Sequence, residues 1–551
     1  MRADLAIRGR IATLSGNEGP GWVGAIAVAD GRVVAAGTTD EIAQFVGPRT
    51  RRLDVGPDQV AIPGLTDSHL HLALAALAAA RVQLEGVASP DVLIERVAAG
   101  ARTMPDDDAW VLGSGWSSDV LGRWPTARDV EAAAPGRRVA LWAHDHHSLL
   151  VSDRVLREAG VDAGTPDPPG GVILRDRDGV PTGVLQESAA SLVGRLVPPD
   201  DAATVATAVR EYAQMLLSLG IVAVHDPGPL HATAALGPAI EAYRALAATG
   251  ELPVRVHACL REPQLDIAVV AGLRSGDPLG PDPRDRLRVG WLKLFADGSL
   301  GSRTAALLDP MEPDADGSTG SGDGLGVWTT PPPVLAALVT RAVGQGISAM
   351  IHAIGDAGVR AALDALALSV GRVPLPPRIE HAQLVHDLDV PRFAALGVTA
   401  SVQPVHVRTD VQVAREVWGA RADARAYPYG ALARAGARVC FGSDAPVEDA
   451  DPWPGIAIAV TRRAGAWPDA TPALAPAQAM SLWQAIRSAA LEPALAAGEA
   501  DRGRLVVGAR ADLVVIDADA VHEPVVPGGA LESCRPRQVL VDGEVVAGTD
   551  A

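Results

Sequence analysis

Val60-Ala61-Ile62-Pro63-Gly64-Leu65-Thr66-Asp67-Ser68-His69-Leu70-His71 is an apolar run that ends in two histidines spaced i and i+2. Read as a strand over Val60–Thr66, it delivers both imidazoles to one face, because alternate residues on a strand point the same way. Spacing alone decides little, since His144 and His146 repeat it within 13 histidines. Its recurrence along the chain is more informative. Further apolar runs, each leading into polar or ionisable residues, cover Ile221–His225, Val254–Cys259, Val289–Phe295, Ile347–His352, Arg378–His381, Val398–Gln403 and Arg438–Gly442. Alanine-rich helical stretches separate them, the rhythm of repeated βα units and a parallel sheet. Eight such strands make a TIM barrel, so the predicted class is α/β with a (β/α)8 barrel.

Outside this rhythm both ends are rich in short β segments. Asp30-Gly31 and Asp542-Gly543 each sit between two such segments, a hairpin signal. The economical reading is a small β-sandwich-like domain shared by residues 1–60 and 498–551, flanking a barrel over 61–497. About 155 residues separate the first and second barrel strands, far more than a βα connection needs. An inserted subdomain is therefore expected over about 80–200, after the first strand. Pro310–Gly324, rich in Gly, Ser and Asp, reads as a surface loop near the barrel mouth.

Composition narrows the function. The 551 residues carry a formal net charge of −18, which argues against sequence-independent binding to nucleic acid or anionic membrane. The expected partner is a small-molecule substrate, with a homodimer as the base-rate assembly. Three distant cysteines (Cys259, Cys440 and Cys534) are too few for a disulfide framework. The charged N-terminus lacks the apolar core of a signal peptide, so the expected location is cytoplasmic.

Of 48 basic residues only Lys293 is a lysine. Lysine and arginine are nearly equivalent on a surface, but only lysine yields a neutral amine. Lys293 lies in the fourth predicted strand; His352 closes the fifth, His381 closes the sixth, and Asp444 follows the eighth. Barrel enzymes gather their active sites at the C-terminal ends of strands. His69, His71, Lys293, His352, His381 and Asp444 are thus expected at one mouth.

These residues, with Lys293-Leu-Phe-Ala-Asp-Gly-Ser-Leu-Gly-Ser-Arg303, His352-Ala-Ile-Gly-Asp356, Arg378-Ile-Glu-His-Ala-Gln383, Ser401-Val-Gln-Pro404 and Gly442-Ser-Asp-Ala-Pro446, resemble the metal-dependent amidohydrolase superfamily. The similarity is strongest to its amidohydrolase-3 group, which includes N-substituted formamide deformylase. It extends over nearly the whole chain. Ser152 departs from the pattern, where an asparagine is expected.

The resemblance implies that His69, His71 and Asp444 hold one divalent ion, zinc or a relative, and that His352 and His381 hold a second. Lys293, N6-carboxylated, would bridge them; a single ion with unmodified lysine is the alternative. A metal-activated hydroxide would attack a C–N bond of a non-peptide amide, with Asp444 as catalytic proton shuttle. Asp297, Glu380 and Gln403 are candidates for orienting the imidazoles. His147, Glu187, Arg303 and His406 are candidates for substrate binding. Cyclic-amide opening or deamination on the same site is a rival reaction, and a non-catalytic binding scaffold a rival class.

Overall fold

The computed structural model describes residues 2–16, 19–104, 106–143, 148–168, 171–194, 196–229, 235–313 and 323–548. Eight parallel strands run in chain order around a barrel: Leu65–Asp67, Ile221–Asp226, Arg255–Arg261, Leu287–Phe295, Ala349–Ala353, Arg378–His381, Thr399–Val402 and Val439–Phe441. The ring is completed where Ser68 N–H donates to Phe441 O at 2.9 Å. Ile221, Val256, Leu292, Ile351, Ile379 and Ala400 are all buried, as expected for strands covered on both faces.

The first strand is shorter than the apolar run predicts. Gln59–Pro63 pairs with Leu513–Asp517 in the terminal sheet, and only Leu65–Asp67 joins the barrel. Gly64 is the transfer point. Its N–H donates to Asp512 O at 2.9 Å, while the next N–H, from Leu65, donates to Gly220 O at 3.0 Å. A Cβ at residue 64 would lie 2.7 Å from Val222. An uninterrupted apolar run cannot show where the chain changes sheets.

Both chain ends build one hydrogen-bonded sheet of eight strands, including Leu5–Ala12 from the N-terminal side and Leu513–Asp517 from the C-terminal side. Ile7, Ile26, Leu513 and Leu540 share its core. The two Asp-Gly hairpins form as expected: φ is 50° and 72° at Asp30-Gly31 and 51° and 76° at Asp542-Gly543. Positive φ at both central positions is what a two-residue hairpin requires. Arg255 of the third barrel strand bonds Asp512 at 2.8 Å and Asp542 at 2.5 Å, fastening barrel to terminal sheet.

Leu74–Ala208 form a separate compact unit. Its six-stranded sheet runs, in spatial order, Gly171–Arg175, Pro181–Glu187, Ser148–Val151, Arg138–Ala143, Trp110–Trp116 and Val82–Gln83. Trp116 is buried in this unit's own core, where its indole N–H donates to Leu141 O at 2.7 Å. The three cysteines are buried and unpaired. No helix among the described residues is long and apolar enough to cross a membrane.

Candidate metal centre

The strand ends deliver the predicted side chains to one buried cluster. His69 Nε2 and His71 Nε2 lie 3.4 and 3.5 Å from Asp444 Oδ1. Ligand atoms of His69, His71 and Asp444 fall within 4.8 Å of one another, as do those of His381, His406 and Asp444. The rings of His352 and His381 are 4.5 Å apart between centroids, and those of His69 and His381 5.1 Å. His381 and Asp444 are held at φ 71° and 62°, a costly conformation for a side-chain-bearing residue that clusters at functional sites.

Hydrogen bonds outside the cluster aim the imidazoles. Glu380 Oε2 lies 2.5 Å from His69 Nδ1 and Gly228 O lies 2.7 Å from His71 Nδ1. Each leaves its Nε2 facing Asp444, the arrangement in which a carboxylate or carbonyl sets a ligand's tautomer. His352 is oriented through its other nitrogen, since Nε2 lies 2.9 Å from Gly298 O. Asp67 Oδ1 accepts N–H bonds from His69 at 3.0 Å and Ser443 at 3.1 Å, joining the first and eighth strand ends.

Sequence reading did not single out the organiser of this shell, Arg378. Its guanidinium grips Glu380 through two 3.0 Å bonds. It also reaches Ser68 O at 2.7 Å, Ser401 Oγ at 2.8 Å and His225 Nδ1 at 2.8 Å. A signal was available: Arg378 and Glu380 are opposite charges at i and i+2 in an otherwise buried strand, so they share a face. Among the other orienting candidates, Asp297 serves mainly as an anchor for loop backbone. It accepts N–H bonds from Ile354, Gly355 and Ala306 at 2.9–3.0 Å, with His352 Nε2 3.8 Å away. Gln403 donates at 3.4 Å to Ser401 O.

Burial keeps the imidazoles of His69, His352 and His381 neutral. Burial, reinforced by Lys293, holds His69 well below the ordinary range and takes His352 to about 3. Burial, with the neighbouring His352 and His69, does the same to His381. Burial also brings Lys293 down to about 8 against the opposing pull of Glu380 and Asp444. It raises Asp444, against His406, His71 and Lys293, and takes Asp67 to about 7.

The donor set fits a divalent cation. Neutral imidazole and carboxylate suit zinc and related ions. Lys293 Nζ and His381 Nδ1 are buried with no hydrogen-bond partner among the described residues. Such orphans are costly unless something completes them.

The predicted substrate contacts divide. His406 joins the cluster, with Nε2 3.9 Å from Asp444 Oδ2. Arg303 faces Glu416 at 4.0 Å. Glu187 is exposed at the end of a strand in the inserted unit, and His147 lies outside the described residues.

A family model described as "Amidohydrolase family" matches residues 58–547. The chain belongs to the amidohydrolase family. This amidohydrolase is 27% identical over 529 residues to the Bacillus subtilis (strain 168) protein named "Putative amidohydrolase YtcJ", covering 95% of each chain. It is 27% identical over 548 residues to N-substituted formamide deformylase of Arthrobacter pascens, covering 94% of each. Among solved structures it resembles an uncharacterized metal-dependent hydrolase from Pyrococcus furiosus. That match has TM-score 0.74 and 27% identity, over 95% of this chain and 100% of that one.

Proposed function

We propose that this amidohydrolase cleaves the C–N bond of a small non-peptide amide, with N-substituted formamides the substrate class to test first. One observation carries the reading: His69, His71, His381 and Asp444 converge beside the buried amine of Lys293, which has no hydrogen-bond partner among the described residues. The resemblance to a formamide deformylase over 94% of the chain supports the substrate class.

In this reading His69, His71 and Asp444 hold one divalent cation, and Lys293, His352 and His381 surround a second. When bound, such ions lower the pKa of water and polarise a carbonyl oxygen. The chain supplies the rest. Glu380 and Gly228 O lock two imidazoles in place. Burial makes the neutral amine of Lys293 accessible near pH 8, so its nitrogen can add to CO2, release a proton and become a carboxylate-like ligand; arginine cannot. Asp444 accepts the proton of the attacking water and passes it to the departing amine nitrogen.

The test is a panel of N-substituted formamides, acylated amino compounds, cyclic amides and aminated heterocycles, assayed with metal-loaded protein whose metal content is measured. Turnover of open-chain amides that chelation abolishes is expected. Turnover confined to heterocycles would replace the reading with deamination. Well under one ion per chain after loading, with no activity, would favour a binding scaffold. Lys293→Arg is expected to lose one of two ions and most activity.

A further inference from the structure

His406 lies within ligand distance of His381 and Asp444, which invites its assignment as another metal-binding imidazole. Its hydrogen-bond environment says otherwise. On one side of the ring, Gln383 Nε2 stands 3.5 Å from His406 Nδ1 and 3.3 Å from Asp410 Oδ2. Tyr427 Oη lies 2.7 Å from the same Asp410 oxygen. Burial, with Asp410 beside it, holds the Tyr427 phenol well above its ordinary range, so the hydroxyl keeps its proton and donates. Turned over, the Gln383 amide would lose its N–H bond to Asp410 and set its oxygen against an Asp410 oxygen that already accepts from Tyr427. Gln383 is also pinned through its main chain, where its carbonyl accepts from Tyr427 N–H at 2.6 Å.

The amide nitrogen therefore donates one hydrogen to Asp410 and the other to His406 Nδ1. A neutral imidazole that accepts at Nδ1 carries its proton at Nε2. Nε2 is buried with no hydrogen-bond partner among the described residues; Asp444 Oδ2, at 3.9 Å, is beyond reach. The ring lies nearly parallel to that of His381, at 15° and 6.2 Å between centroids. A nitrogen bearing a proton offers no lone pair to a cation. An unpaired buried donor is costly, and it becomes useful when a ligand brings the missing acceptor.

We infer that His406 is a fixed Nε2–H donor for the substrate's carbonyl oxygen, and that Gln383, Asp410 and Tyr427 are positioning residues that set its tautomer. The inference rests on the amide-hydrolysis reading and extends it, naming the group that stabilises charge developing on that oxygen. A backbone or side-chain donor in this role is worth about 10²–10³ in kcat.

Three readouts on the full chain test it. First, metal content of loaded His406→Phe is expected to match wild type. Second, nitrogen NMR of 15N-histidine-labelled, metal-free protein, with the His406 signal identified by its loss in His406→Phe, is expected to show Nε2–H. Gln383→Glu, whose carboxylate accepts from the ring, is expected to switch it to Nδ1–H. Third, His406→Phe is expected to lower kcat about 10²–10³-fold with KM little changed, and Gln383→Leu to lower it about tenfold. Loss of an ion in His406→Phe, an Nδ1–H tautomer in wild type, or an undiminished kcat would each overturn the inference. If wild type hydrolyses nothing on the panel, the hydrolase reading fails by itself, while the tautomer and the metal content still decide whether His406 is a donor or a ligand. Should His406→Phe not fold, His406→Gln identifies the signal and reports the metal content, and the Gln383→Glu switch in tautomer carries the test.

Discussion

At the scale of single residues, Asp444 separates metal binding from proton transfer. Asp444→Asn keeps a carbonyl oxygen near His69 and His71 but cannot take a proton as a carboxylate does. It is expected to retain metal, measured by elemental analysis, and to lose about 10²–10⁴-fold in kcat. Lys293 makes a prediction about stability. Its folded-state value of about 8 lies below the ordinary 10.5, so between those pH values the unfolded chain binds a proton that the folded chain has shed. Stability contributed through this group therefore rises with pH across that window. Below it the buried charge costs at most about 3 kcal/mol. Metal-free Lys293→Met is expected to melt higher than metal-free wild type at pH 7, with the gap closing towards pH 10.5. Thermal denaturation at the two pH values checks this; a gap independent of pH would remove the buried-charge explanation. The residue-level reading of the sequence was strongest here, because a lone lysine in an arginine-rich chain is visible without any structure.

At the scale of elements, the barrel closes at its metal end through the meeting of the first and eighth strands. Gly442 allows it: a Cβ there would lie 2.5 Å from His69 N and 2.9 Å from Asp67 Oδ1. Gly442→Ala must push the eighth strand off the first, and overpacking of this kind costs about 1–3 kcal/mol. A lowered melting temperature together with reduced metal content is expected, since Asp444 lies two residues on. Unchanged metal content would mean that the strands adjust without disturbing the ligands. The strand ends that carry His352, His381 and Asp444 were legible because apolar runs ending in ionisable groups repeat along the chain. The division of the first run at Gly64 was not, because residues on both sides of it are buried, one set in each sheet.

At the scale of the whole molecule, both chain ends meet in one sheet that the barrel grips through Arg255. Asp512→Ala strands this buried guanidinium beside the remaining Asp542, and breaking one side of a buried pair costs about 3–5 kcal/mol. The variant is expected to unfold at a lower temperature while binding as much metal as wild type below its transition, because the ligands sit on strand ends that this pair does not touch. Replacing Arg255 as well, with methionine, is expected to recover part of the loss. If Asp512→Ala melts as wild type does, the ion pair does not fasten the sheet.

Strand number, βα order, the two Asp-Gly hairpins and the ligand types were set by local pattern: periodic burial, turn chemistry and residue identity act over a few neighbours and can be read in a line. Tertiary structure alone decided which polar groups face one another. The Arg378–Glu380–His69 shell, the Gln383–Asp410–Tyr427 chain behind His406 and the Arg255 clamp join residues up to hundreds of positions apart. A hydrogen bond depends on distance and direction between side chains, and neither is encoded in separation along the chain.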